Sequence, residues 1–144
     1  MYMLQYKKGR FHCEGVSFEI PENFYLDTDC DISYENGLEF ITPDEKMVIE
    51  YDITDYDGST EKELQKLFRN GSYIVIEPIT PVLINGLKGH KCCYRTSKES
   101  FYEVHLEITE ELEFVYCLHS SECDVSKEFE KPEIKRTLME IRKD

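Results

Sequence analysis

Cys117, His119 and Cys123 are the residues of this chain best spaced for metal chemistry, as Cys-x-His-x3-Cys. Two of them fall on one face of an expected strand and the third in the loop after it. Structural zinc takes four closed nitrogen or sulfur ligands, so His12 or His90 would have to complete the set. His90, Cys92 and Cys93 are a poorer set, because adjacent strand residues point to opposite faces. A strand with a buried thiol, followed by a loop cysteine, accounts for the same residues, so no metal is expected. Cys117 with His105 or His119 also has the residue types of a thiol nucleophile and its base. A reactive thiolate needs a positive environment, whereas Glu103 and Glu113 are the expected neighbours. No nucleophile elbow or third orienting group accompanies the pair.

The carboxylates allow other chemistry. Asp27-Thr28-Asp29-Cys30-Asp31 opens like a calcium loop, but Ile32 stands where glycine is required and Leu38 where glutamate is required. Asp52, Asp55 and Asp57-Gly58 form a second acidic patch, in which Asp57 or Ser59 can cap the helix that follows. Glu103 and Glu107 beside Arg95 and Lys91 read as cross-strand ion pairs rather than an acid–base pair. Tyr25, Tyr34, Tyr51 and Tyr56 lie in the same acidic half. Aromatic anchors carry interface energy and charge steers association, so tyrosine among carboxylates suits a protein-binding face. Tyr51, Asp52, Asp55, Tyr56 and Asp57 are the residues expected to touch a partner. No cofactor motif is present and no cofactor is expected.

The elements that would position these residues follow closely along the chain. Phe11 and Cys13, then Val16, Phe18 and Ile20, read as a hairpin across Glu14-Gly15, stopped by Pro21. A four-residue turn at Pro43–Lys46 would pair Phe40 with Ile49 and Leu38 with Tyr51, aligning the apolar faces. Thr60 and Glu63 form a capping-box pattern, Leu64, Leu67 and Phe68 follow at helix spacing, and Asn70-Gly71 is the expected left-handed stop. Residues 73–77 read as a strand ended by Pro78. Asn85-Gly86 marks a hairpin, with Gly89 as the site of a bulge that corrects the parity of the next strand. Tyr102, Val104, Leu106 and Ile108 alternate with polar residues, as do Leu112, Phe114, Tyr116 and Leu118. The loop Thr109–Glu111 puts both apolar sets on one face, with Arg95, Glu103 and Cys117 in a row opposite. Pro132 starts a last helix with the stripe Ile134, Leu138, Ile141. Strands, helix, strands, helix is the order of an α+β fold with an antiparallel sheet of six or more strands and helices packed on it.

Length and charge limit what such a domain does. The 144 residues suit one domain over 1–144 with its own core. The net charge is −13, and residues 1–60 alone hold 14 acidic and 4 basic side chains, so −10 of it lies there. Such a surface repels phosphate backbones and anionic lipid heads. Nucleic acid and membrane are not expected as partners, and another protein, a basic one, or a cation is favoured. No apolar run has the length of a signal peptide or a membrane span, so the expected setting is the cytoplasm. The six cysteines are then expected as reduced thiols.

VSFEIPENF near the start, a hairpin ending in IEYDI, the helix TEKELQKLF, the segment INGLKGHKCCYR, a hairpin ending in FVYCLHSSE and a C-terminal helix follow in order. Over roughly residues 10–142 this order resembles the PsbP/DcrB-like superfamily. The resemblance implies helices covering a central antiparallel sheet. Relatives of that kind are mostly accessory or binding proteins: a photosystem subunit, a nuclear-transport factor that binds a small GTPase, chaperone-adaptors of secreted effectors. They share no catalytic motif, so no residue here inherits a role. The lipoprotein signal of the DcrB branch is not expected here, which speaks against an envelope location. A non-catalytic binding or adaptor domain is the expected function. An acidic immunity protein neutralising a basic toxin is the second reading, and a metal- or thiol-dependent enzyme the third.

Overall fold

The computed structural model describes residues 4–27 and 37–144. Among these described residues, eleven strands and three helices run in the order β1 (Gln5–Lys7), β2 (Arg10–Cys13), β3 (Val16–Glu19), β4 (Tyr25–Leu26), β5 (Leu38–Ile41), β6 (Val48–Asp55), α1 (Thr60–Phe68), β7 (Ile74–Ile84), β8 (Leu87–Arg95), β9 (Ser100–Glu107), β10 (Leu112–Ser120), α2 (Val125–Glu128), α3 (Pro132–Met139) and β11 (Arg142–Lys143). The strands form a seven-stranded sheet of order β4-β5-β6-β10-β9-β8-β7 and a four-stranded sheet of order β1-β2-β3-β11. Every pairing is antiparallel. The fold is α+β.

The expected registers hold in the large sheet. Leu38 lies opposite Tyr51 and Phe40 opposite Ile49. Phe114, Tyr116 and Leu118 lie opposite Leu106, Val104 and Tyr102. Strand alternation then sends one apolar row inward from β5, β6, β9 and β10. Its residues, with Cys93 and Leu87 of β8, are buried against Phe18 of the small sheet and against Val125, Ile134, Leu138 and Ile141. Tyr51 stacks on Phe18 with ring centroids 4.1 Å apart, and Tyr102 on Phe129 at 4.0 Å. The phenols of Tyr51 and Tyr116, both fully buried, are satisfied on α3. Tyr51 donates to the Thr137 carbonyl at 3.2 Å, and the Tyr116 hydroxyl meets Thr137 Oγ1 at 2.7 Å. Such pairing is what allows tyrosine to sit in a core.

A buried arginine ties the four-stranded sheet to the end of α3. Arg10 donates to the Ser17 hydroxyl and carbonyl, to the Glu140 carbonyl and to Glu140 Oε2, each at 2.9–3.0 Å. Breaking a buried pair by removing one partner leaves an uncompensated charge, so this contact pins the end of α3 to the small sheet. Asn85 adds a second tie, donating from Nδ2 to the carbonyls of Met139 and Ile141. Its φ of 47°, followed by 86° at Gly86, is the two-residue hairpin conformation that Asn-Gly favours.

Several expectations are corrected. The small sheet gains β1 at one edge and β11 at the other, and Ile141 lies beyond the helix, which ends at Met139. Pro78 does not end its strand: β7 runs through it with register shifts between Val75 and Glu77 and between Glu77 and Thr80. An edge strand tolerates proline because its outer N–H groups need no partner. The stop after α1 is not left-handed, since neither Asn70 nor Gly71 has positive φ. Instead Asn70 N donates to the Leu67 carbonyl and Tyr73 N to the Asn70 carbonyl. Ser59, not Thr60, is the N-cap residue of α1, and the Thr60–Glu63 box does not form because the Thr60 hydroxyl is drawn to Glu113 at 2.7 Å.

Gly89 hosts no bulge. Residues 87, 89, 91 and 93 share one parity, and it is Cys93, not Cys92, that joins Leu87 in the main core. Gly89 is required for another reason. A Cβ there would lie 1.7 Å from the His105 carbonyl oxygen and 2.9 Å from the Leu106 Cα. Both are backbone atoms of the neighbouring strand and cannot yield. Gly89→Ala is therefore expected to destabilise the fold by about 3 kcal/mol or more, the upper range of overpacking effects. Urea unfolding reads this directly, and a variant with the parent midpoint would contradict the close approach of β8 and β9.

Candidate functional site

The same alternation that fills the core sets a second row on the outer face of the large sheet. Glu50, Asp52 and Thr54 come from β6, Glu113, Val115, Cys117 and His119 from β10, Glu103, His105 and Glu107 from β9, and Cys92 and Tyr94 from β8. Helix α1 packs on part of this face. Leu64 is buried on Cys92 and Tyr94, with Leu67, Phe68, Tyr73 and Phe101 around them. Tyr94 stacks on Phe101 at 5.0 Å.

His105 is the centre of the polar part. Its Nδ1 lies 2.8 Å from Glu113 Oε1 and its Nε2 lies 2.9 Å from Glu103 Oε1. Glu113 is itself buried and accepts from Thr60 at its other oxygen. Glu103 also accepts from the Tyr94 hydroxyl. Burial works against a charged imidazole, but the hydrogen bonds and charges of Glu103 and Glu113 outweigh it and hold the His105 pKa up to about 9. Burial likewise favours a neutral Glu103, and His105 and Tyr94 overcome it, leaving that carboxyl below its usual range. The cluster is a carboxylate–imidazolium–carboxylate bridge that ties α1, through Thr60, to the sheet.

The residues singled out for metal or thiol chemistry are not brought together. Cys117 lies on the outer face directly opposite Glu103, as its neighbours in sequence implied. Burial, then Glu103 and Glu50, push its thiol well above the ordinary range. Cys92, across Glu103 on the other side, is pushed up to about 12 by burial and Glu103. Neither histidine is free to serve these thiols. His105 is spent on two carboxylates, and His119 sits between Glu50 at 3.2 Å and Glu99 at 3.5 Å. Cys123 is in the loop after β10, where its N–H donates to Ser120 and its carbonyl accepts from Ser100. His90 leans towards Glu61 at 3.5 Å, and Cys93 points to the core. Among the described residues no three of His, Cys, Asp and Glu converge as a ligand set. The calcium-like segment runs into residues 28–36, and with Tyr34 lies outside the described residues.

Glu103 and Glu107 do not pair with Arg95 and Lys91. Lys91 has the parity of Cys93 and so faces the other side of the sheet. Glu107 instead accepts from Tyr56 at 2.8 Å. The row across from Cys117 is Glu103 then Cys92, without Arg95.

Four of the five residues expected to touch a partner do share one place. Asp52, Asp55, Tyr56 and Asp57 line a trough of about 610 Å³ between α1 and the sheet. Thr60, Glu63, Leu64 and Leu67 of α1 form its wall, and Thr54, His105, Glu113 and Val115 complete its floor. Burial raises the Asp52 pKa, with Glu50 adding to it and the Ile53 amide opposing. Tyr51 is the exception and is corrected here. It is fully buried on the inner face, one residue out of phase with Asp52, and cannot meet a partner. Tyr25 is 64% exposed, far along the sheet on β4. His105 and Glu113 were not expected in this site. The signal was present, since the register that aligns Leu106 with Phe114 also places His105, Glu103 and Glu113 on one outer face.

No protein-family model matches the chain, and no curated protein does. Solved structures do. A protein of Bacteroides thetaiotaomicron VPI-5482 matches with a TM-score of 0.54 at 14% identity, over 90% of this chain and 45% of that one. This chain therefore spans less than half the length of that relative. LpqN of Mycobacterium tuberculosis, described as involved in cell envelope biogenesis, matches with a TM-score of 0.59 at 6% identity, over 88% of this chain and 82% of its own. At such identities the likeness is one of fold. No helix among the described residues is long and apolar enough to cross a membrane.

The His105 bridge has a testable pH signature. Its folded pKa lies above that of an unfolded imidazole, so its stabilisation is complete below about pH 6.5 and is lost as pH rises through about 9. At about 1.4 kcal/mol per unit, His105→Gln should lower stability by roughly 2–3 kcal/mol at pH 6, and the gap to the parent should narrow by pH 10. Urea unfolding at both values measures it, and a gap independent of pH would contradict the bridge.

Proposed function

We propose that this chain is a non-catalytic protein-binding domain of the PsbP/DcrB-like type, and that it holds a basic partner at the trough beside α1. The observation that carries this reading is the chemistry of the trough. Carboxylates from β6, the loop after it and α1 surround partly exposed apolar side chains, and no lysine or arginine lines it. Carboxylates next to partly exposed apolar surface suit a cation that brings its own apolar contact. The net charge of −13 adds long-range attraction for a basic protein.

The non-catalytic part rests on the state of the reactive groups. Both ring nitrogens of His105 and of His119 face carboxylates, so neither imidazole is poised as a base for Cys117. The raised thiols of Cys92 and Cys117 oppose nucleophilic use. The fold shared with LpqN over most of both chains is compatible with the PsbP/DcrB-like assignment. A cytoplasmic setting is proposed with it, on composition alone, while the described role of LpqN lies in the cell envelope.

An affinity-tagged chain should recover a stoichiometric basic partner from native lysate at low salt and release it as salt rises. Reversing Asp52, Asp55 and Asp57 to lysine together should weaken capture at least tenfold. Recovery of no stoichiometric partner would contradict the binding role.

A further inference from the structure

The occupant of the trough can be narrowed, on the premise that the binding role proposed above holds. The floor is drawn from three neighbouring strands: Asp52 and Thr54 of β6, Glu113 and Val115 of β10, and His105 of β9. His105 and Glu113 are largely covered at the inner side, where the Thr60 hydroxyl of α1 meets Glu113, so the open floor is Asp52, Thr54 and Val115. This open lane runs beside α1, which occupies the neighbouring part of the face.

The backbone of the floor selects against an added strand. β6, β9 and β10 are each paired on both sides. They offer no free row of donors and acceptors of the kind that β-augmentation uses. An occupant must therefore satisfy its own backbone and bind through side chains, which is what a helix does. Charge selects the sign. Leu67 and Val115 are partly exposed between Asp52, Asp57 and Glu63, with no lysine or arginine in the lining, and the one imidazole there, His105, is held between Glu103 and Glu113. A second copy of the chain is disfavoured by its own charge of −13.

We infer that the trough seats a cationic amphipathic helix of the partner protein. It lies beside α1, with its apolar stripe on Leu67 and Val115 and its lysine or arginine side chains towards Asp52, Asp57 and Glu63. The lane is closed at its inner side by the His105 bridge, which fixes Glu113 and leaves the outer carboxylates to the ligand.

The test uses the whole chain and two synthetic peptides of leucine and lysine, each about five turns long (~18 residues). In one the leucines recur at helix spacing; in the other the same residues are scrambled to break the stripe. By fluorescence anisotropy the patterned peptide should bind at least tenfold more tightly than the scrambled one. Glu63→Lys, at an exposed helix position, and Val115→Lys should each weaken it tenfold or more while circular dichroism and the unfolding midpoint report a folded chain. Equal binding of the two peptides, or folded variants that bind as the parent does, would overturn the inference. So would a chain that sediments as a dimer dissociated by these same substitutions, since a second copy would then fill the lane. A lysate partner captured equally by parent and both variants would overturn the helix seat and leave the binding role standing, whereas no partner at all would remove the role itself.

Discussion

Strand parity governs this molecule. In a sheet, a shift of one residue turns every side chain to the opposite face. Here β5, β6, β10 and β9 keep their apolar rows in phase across three successive pairings. Tyr51, Tyr116, Val104, Phe114 and Leu106 are all essentially inaccessible as a result. A slip in any one strand would put Asp52, Glu103, His105 or Glu113 into that interior unpaired, at a penalty that few kilocalories of net stability could absorb. Core and outer face are therefore set by a single register.

What the outer face does follows from how its charges are managed. Where α1 covers it, the buried carboxylates Glu103 and Glu113 are neutralised locally, by His105 between them and by the hydroxyls of Tyr94 and Thr60. Where α1 does not cover it, the half-buried Asp52 lies with Asp57 and Glu63 in a trough that no lysine or arginine lines. The first arrangement holds the fold together, and the second leaves a preference for a cationic ligand. Other surfaces are less suited to that role. The β7 edge exposes Ile74, Val75 and Ile76, but its two register shifts and its prolines break the row of donors and acceptors a new strand would need.

Most of the large sheet was legible in the sequence because alternation and turn length are local signals. Leu38 opposite Tyr51, the Asn85-Gly86 hairpin, and the shared face of β9 and β10 all followed from spacing. The parts that were not legible depend on distant partners. β1 and β11 are short strands stabilised only by the sheet they join. Arg142 and Lys143 follow directly on the helix stripe ending at Ile141, and only their pairing with Ser17 and Val16 makes them a strand. Thr60 read as a cap because nothing local announced Glu113, which lies far along the chain. Asp52, Asp55, Tyr56 and Asp57 are neighbours in sequence and also line one trough. Tyr51 was wrongly grouped with them, although its place in the alternation already pointed inward. His105 was considered only as a base for Cys117. Its actual partners, two carboxylates on the same outer face, follow from the register and from the preference of a buried imidazole for charge compensation.

Amide hydrogen exchange of the chain, free and with its captured partner, tests the assignment of function to the outer face most directly. Protection should rise in residues 52–57 of β6 and the loop after it, in 60–67 of α1 and in 113–115 of β10, and should stay unchanged on β7 and the four-stranded sheet. New protection confined to β7 or to the four-stranded sheet, with the trough unaffected, would contradict it.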